Sequence, residues 1–352
     1  MPSCGGGAVT EVLSVDNLTV RYWTKRGPLT ALDNVSFDLF RGETLGIVGE
    51  SGCGKSTLAR ALVGLVHPSA GSVRVLGQEI AGGGRRRLGP VRKHIQMVFQ
   101  DPEASLNPRL TIGRIIEEPL LVHRIGTRAD RRRQVIELLD AVGLPAAAAH
   151  LYPHEFSGGQ RQRASIARAL AVRPDIIVAD EPASALDVST RAQIINLLND
   201  LQSEFGIAYV FISHDLSVVR HVADRVLVMY LGRVVESANS VDLWETPLHP
   251  YTRALLAAAP GYARSGARSS PPELLEGEPP SPLNPPSGCA FRTRCQHATL
   301  LCAENAPTLK RHRDLHAVAC HHVEQIAGSE CNDGAADARD SLRETTTLVD
   351  PS

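Results

Sequence analysis

Residues 49–57 read GESGCGKST and satisfy G-x-x-x-x-G-K-[ST] from Gly49 to Ser56. Glycines at 49, 52 and 54 let backbone N–H groups turn inward around a chain of phosphates, with Ser51 and Thr57 in the same cradle. Lys55 then reaches the β- and γ-phosphates, and the Ser56 hydroxyl offers a ligand to Mg²⁺. The helix that follows directs its positive end at the anion. A second group, DIIVADE at 175–181, ends an apolar run on two acids. Asp180 is expected in the Mg²⁺ shell and Glu181 beside the attacking water. His214, in FISHD, ends another apolar run and is expected on the γ-phosphate. Gln100, closing IQMVFQ, is expected to sense the metal ion and the water. This set describes a nucleoside triphosphatase. No N-K-x-D motif for guanine is present, so ATP is favoured.

A second anion site is written at 155–170, EFSGGQRQRASIARAL. Ser157 and the N–H groups of Gly158 and Gly159 stand at the mouth of a helical pattern. Ser157 could be an ordinary helix cap. It could also close over the γ-phosphate of an ATP held by another subunit. Two chains in head-to-tail contact would then enclose two nucleotides, each site taking its phosphate loop from one chain and its Ser-Gly-Gly-Gln from the other.

The elements that must position these residues are those of an α/β protein, with a P-loop NTPase (RecA-like) core. Apolar runs at 44–50, 95–100, 175–180, 208–213 and 225–230 predict buried strands. The segments at 12–22 and 34–40 predict an N-terminal antiparallel layer. Residues 55–66 predict a helix with Leu58, Ala61, Leu62 and Leu65 on one face. Between 101 and 170 the strand signals stop and three helical patterns follow, an inserted helical subdomain. Residues 10–259 thus make one ATP-binding domain. Pro, Gly and Ser crowd 260–288, which reads as a linker. A small cysteine-containing module is expected to complete 260–326. The polar segment 327–352 is expected to be disordered.

In this order GESGCGKST, Gln100, FSGGQRQR, IIVADE, SALD (184–187) and His214 resemble an ABC-type ATPase over roughly residues 10–255. The resemblance implies the two-chain site described above, and gives Asp187 in SALD a role in communication across the dimer. Tyr22 resembles the aromatic residue that stacks on adenine, and Trp23 is the weaker candidate because side chains alternate along a strand. Phe156 stands where the family most often has Leu. VFQDPEASLNPR, PLHPYTRALLAA and the cysteine-bearing C-terminus narrow the resemblance to ATP-binding subunits of bacterial peptide and nickel importers, most like the F-type subunit. That implies a second ABC ATPase subunit (a D-type partner or another copy), two transmembrane permease subunits, and an external solute-binding protein. It also implies a place on the cytoplasmic face of the inner membrane, with the permeases' coupling helices received near Gln100 and the helical insertion. A soluble ABC ATPase acting on DNA or ribosomes is the reading from another class. The stretch from 57 to 156 is too short for a long coiled coil, and there is one cassette, not two. An inactive regulatory module is disfavoured by intact Lys55, Asp180, Glu181 and His214.

Bulk properties agree. The net charge is −1, which implies no general attraction to nucleic acid. No run approaches the ~18–20 apolar residues of a membrane span, and the first residues do not read as a signal peptide. An intracellular chain keeps thiols free, metal-bound or redox-active. Four of the seven cysteines, Cys289, Cys295, Cys302 and Cys320, fall in one short segment. Four thiols suit zinc or an iron–sulfur cluster. The paired C-x₂₋₄-C spacing usual for zinc is absent, although His321 and His322 could substitute there. Free thiols are the third reading. The family resemblance favours a [4Fe–4S] cluster, acting as a staple for a segment too small to hold a core.

Overall fold

A computed structural model describes residues 10–80, 85–259 and 277–326. The expected linker lies mostly outside these residues, and the expected disordered segment lies wholly outside them. Strands are numbered along the chain. β1 (Glu11–Thr24) and β2 (Gly27–Phe40) form a long antiparallel hairpin. β4 (Ala70–Val75) and β5 (Gln78–Glu79) complete a four-stranded sheet in the order β2-β1-β4-β5. The second strand starts earlier than the 34–40 expected, because residues 28–33 (PLTALD) pair with the far end of β1 without a clean polar–apolar alternation.

The second sheet has eight strands. β3 (Thr44–Val48), β6 (Ile95–Val98), β7 (Ile176–Asp180), β8 (Ala208–Ile212) and β9 (Arg225–Tyr230) are the strands expected from the apolar runs, and they run parallel. Every residue of β3, β7 and β8 is buried, the condition of a sheet covered on both faces. The two-residue period divides that burial. Ile177, Ala179, Tyr209, Phe211 and Val226 join the core beneath the helical insertion. Ile176, Val178, Ala208, Val210 and Leu227 join the core shared with the antiparallel layer and the helix Lys55–Leu62.

The helical insertion is present as Ile112–Val122, Arg128–Ala141 and Gly158–Leu170, with short turns between. Ile112, Ile115, Ile116 and Leu120 lie on one buried stripe of the first. Thr127 and Asp130 cap the second reciprocally.

Three more strands extend the large sheet beyond β9. β10 (Arg233–Asn239) turns back on β9, β12 (His316–Val318) pairs with β10, and β11 (Lys310–Arg313) closes the edge with four exposed basic-rich residues. A charged edge resists further pairing. The late segment therefore continues the large sheet, and Phe291 enters the main core.

Candidate nucleotide site

Parallel order places four strand ends together. β3, β8, β7 and β6 are consecutive neighbours, and Gly49, His214, Glu181 and Gln100 all follow their carboxyl ends. A cleft of about 550 Å³ opens there, lined by Ser51, Gly52, Gly54, Lys55, Ser56, Thr57, Gln100, Glu181 and His214. Tyr22 lines its other side with Leu29 and Thr30 of the antiparallel layer. Tyr22 is 36% exposed, whereas Trp23 is 86% exposed and lies outside the lining, as strand alternation requires.

The loop shape depends on glycine. Gly49 has φ +150°, and a Cβ there would stand 2.2 Å from the Met229 carbonyl oxygen. Gly54 has φ +108° and would meet the Ala31 carbonyl at 2.5 Å. The buried Lys55 ammonium donates to the carbonyls of Gly49 (2.7 Å) and Glu50 (2.9 Å). Ser56 Oγ donates to Asp180 Oδ1 at 3.3 Å. Burial raises the Asp180 pKa against that hydrogen bond, and the neighbouring Glu181 adds to the rise. A hydroxyl and a carboxylate converging beside the phosphate loop are the hard oxygen donors that Mg²⁺ takes.

Glu181 has φ +48°, rare for a side chain with a Cβ, and its amide is tied to the Ile212 carbonyl at 2.9 Å. Its carboxylate accepts from Gln100 Nε2 at 2.9 Å and lies 3.1 Å from His214 Nδ1. The carboxylate is 15% exposed and the imidazole 59%. The left-handed turn thus aims a largely shielded acid between two polar groups at the mouth of the cleft.

Ser157, Gly158 and Gly159 do not line this cleft. Ser157 caps its own helix, its Oγ accepting from Gln160 N while Gln160 Oε1 accepts from Ser157 N. Ser157 and Gly158 are nonetheless exposed. Gly159 is buried with no room for a Cβ, which would stand 2.4 Å from Thr190 Cγ2. Asp187 is the cap of that neighbouring helix, Val188–Phe205. Hydrogen bonds from Ser189 Oγ, and then from the amide and hydroxyl of Thr190, lower its pKa to about 2. Asp187 therefore sits beside the Ser-Gly-Gly-Gln helix of its own chain.

Comparison with known proteins agrees with this geometry. The family model described as "ABC transporter" matches residues 32–184, and "Oligopeptide/dipeptide transporter, C-terminal region" matches 235–302. The oligopeptide transport ATP-binding protein AppF of Bacillus subtilis is 54% identical over 298 residues, 84% of this chain and 91% of that protein. This chain belongs to the ATP-binding subunits of the oligopeptide/dipeptide ABC transporter family. The di/tripeptide transport ATP-binding protein DppF of Pseudomonas aeruginosa is 51% identical, covering 90% of this chain and 99% of its own. The solved dimer of the ATP-binding cassette MJ0796 with ADP and Pi shares the fold at TM-score 0.60 and 34% identity, covering 65% of this chain and 98% of its own. The chain is accordingly an ABC-type ATPase, using ATP with Mg²⁺. Among the described residues no helix is long and apolar enough to cross a membrane.

The four late thiols share one neighbourhood. Burial raises the pKa of Cys289, and raises those of Cys295 and Cys320 to about 11, with repulsion among the thiols adding to each. Cys289 N donates to the Cys302 carbonyl at 2.7 Å. Cys302 Sγ and His322 Nε2 are 3.5 Å apart. Among the described residues, no three His, Cys, Asp or Glu side chains are grouped so as to hold a metal ion. Four soft sulfurs are donors of the class an iron–sulfur cluster takes, but their arrangement among the described residues does not support the expected cluster.

Sequence reading missed Glu50, Tyr251 and Arg294. Glu50 occupies an unrestricted position of the phosphate-loop motif. Its amide donates to Tyr251 Oη at 2.8 Å, and its carboxylate accepts from both terminal nitrogens of Arg294, at 2.7 and 3.0 Å. The conspicuous stretch PLHPYTRALLAA could have singled out Tyr251. No spacing could have linked Glu50 to a residue 244 positions away.

Proposed function

We propose that this chain hydrolyses ATP to energise a peptide importer, as a peripheral subunit on the cytoplasmic face of the plasma membrane. The carrying observation is Glu181, held between Gln100 and His214 at the mouth of the phosphate-loop cleft. The relatives' names supply the solute class. Residues 10–259 act as the ATPase domain, with 101–170 as its helical subdomain, and 260–326 as the C-terminal module.

ATP enters with adenine against Tyr22 and its phosphates over Gly49–Thr57. Lys55 neutralises β- and γ-phosphate charge. Ser56 and Asp180, with Gln100, would hold Mg²⁺, which would supply positive charge against the phosphate oxygens. Glu181 orients the attacking water and accepts its proton, while His214 donates to the γ-phosphate. Ser157, Gly158 and Gly159 cap the γ-phosphate of the nucleotide on a second ABC subunit, either a D-type partner or another copy, with Asp187 beside the junction. Closure of the pair moves two permease subunits, which receive solute from an external binding protein.

Glu181→Gln tests the central role. The substituted complex should bind ATP, accumulate as a closed pair, and hydrolyse about 10²–10⁴-fold more slowly. Unchanged turnover would remove Glu181 from the reaction.

We infer further that Cys289, Cys295, Cys302 and Cys320 hold a [4Fe–4S] cluster. The support is the four-sulfur donor set and its resemblance to this region of peptide-importer subunits. Anaerobically purified protein should show sulfur-to-iron absorption in the visible range with matching iron and sulfide. Stoichiometric zinc, or neither metal, would overturn this reading.

A further inference from the structure

Three groups of Glu50 are held by three different parts of the chain. Its amide donates to Tyr251 Oη, its carbonyl accepts from Lys55 Nζ, and its carboxylate is gripped by Arg294. The Arg294 side chain is 5% exposed and that of Glu50 21%. A shielded two-point guanidinium–carboxylate pair fixes orientation as well as distance. Removing one partner of such a pair strands the other charge.

Arg294 lies on the short loop from Cys289 to Cys295, whose ends are two of the clustered thiols. Phe291, on the same loop, is buried against Tyr230 and Tyr251, with ring centroids 5.3 and 5.4 Å away. The loop therefore meets the nucleotide site twice, through an aromatic triad and through the ion pair.

We propose that Arg294 is a positioning residue for the phosphate loop: through Glu50 it fixes the backbone on which Lys55 rests, so that the late cysteine loop sets the affinity for ATP. The inference depends on Gly49–Thr57 being the ATP-phosphate loop.

The test uses the full chain with Mg²⁺ and ATP, reading Kd by equilibrium dialysis, and KM and kcat in the assembled complex. Arg294→Ala should raise Kd and KM about tenfold, an effect of ordinary size for a coupled pair, while kcat stays within about twofold. Glu50→Ala should do the same, and the double variant should be no worse than either single. Arg294→Lys, which keeps the charge but not the fork, should recover part of the affinity. Cys295→Ser should raise Kd in the native background and add nothing to Arg294→Ala. Should Arg294→Ala fail to fold, Glu50→Gln carries the same expectation. Unchanged Kd, additive effects of Glu50 and Arg294, or a loss confined to kcat would each overturn the proposal. Lys55→Ala separates the two readings. If it abolishes binding while Arg294→Ala changes nothing, only the Arg294 inference fails. If it binds ATP normally, the site assignment itself fails.

Discussion

Gly49 shows how much of this site is backbone. It has φ +150°, and an added Cβ would be driven into the Met229 carbonyl, which β9 holds in the sheet and cannot move aside. Gly52, at φ +79°, faces open space. Alanine should therefore cost about 1 kcal/mol of backbone strain at Gly52. At Gly49 it should cost several-fold more and displace the loop. Urea midpoints and ATP affinity together check this, and equal effects at the two positions would contradict it. Asp180 and His214 were legible in the sequence because each needs only a strand end and a residue type, and Lys55 because it holds a fixed place in the phosphate-loop motif. The three-way hold on Glu50 was not. It depends on which distant segments the sheet brings home, and Tyr251 and Arg294 arrive from 201 and 244 residues away.

Helix starts carry the next level of organisation. The parallel strands and the helical insertion were legible because continuous apolar runs and a regular stripe mark them directly. The three-strand extension was missed because β11 and β12 are short, and β11 is polar throughout. What anchors that extension is polar and buried. The Glu236 carboxylate accepts from His316 and from the amides of Leu248 and His249. His249 in turn caps the helix Pro250–Ala257, its Nδ1 accepting from Tyr251 N at 3.0 Å. Burial lowers its pKa to about 4, against the opposing pull of Glu236 and the Ala319 carbonyl. A neutral ring is what the cap needs, since a protonated Nδ1 cannot accept. Between pH 6.5 and 4 the unfolded chain takes up a proton that the folded chain declines, so stability falls as pH falls through that window. Loss is complete below about pH 4 and approaches about 3 kcal/mol. Thermal melts of native and His249→Asn protein should converge as pH drops from 6.5 to 4. Parallel curves would place His249 outside this titration.

At the scale of the whole molecule the phosphate loop and the Ser157 helix start do not meet. The phosphate loop, Gln100, Glu181 and His214 line one cleft, while Ser157 and Gly158 lie exposed elsewhere on the insertion. Ser157 already caps its helix, and capping alone explains a serine there. Capping does not explain the exposed Gly158; a Cβ there would stand 3.3 Å from Leu186 Cδ2, a side-chain end that a small shift relieves, and most residues favour a helix more than glycine does. An exposed glycine at the first turn of a helix suits an anion brought by another body. If that body is a second ABC subunit, hydrolysis is a property of pairs. The rate per chain should then rise with concentration for copies that self-pair, or appear only on titration with the distinct partner. Ser157→Arg should abolish that rise by filling the junction, yet leave the chain's own affinity for ATP within about twofold, because Ser157 does not line its cleft. A rate per chain that is constant on dilution and indifferent to Ser157→Arg would mean that one chain completes its own site, and the exposed glycine would then need a different cause.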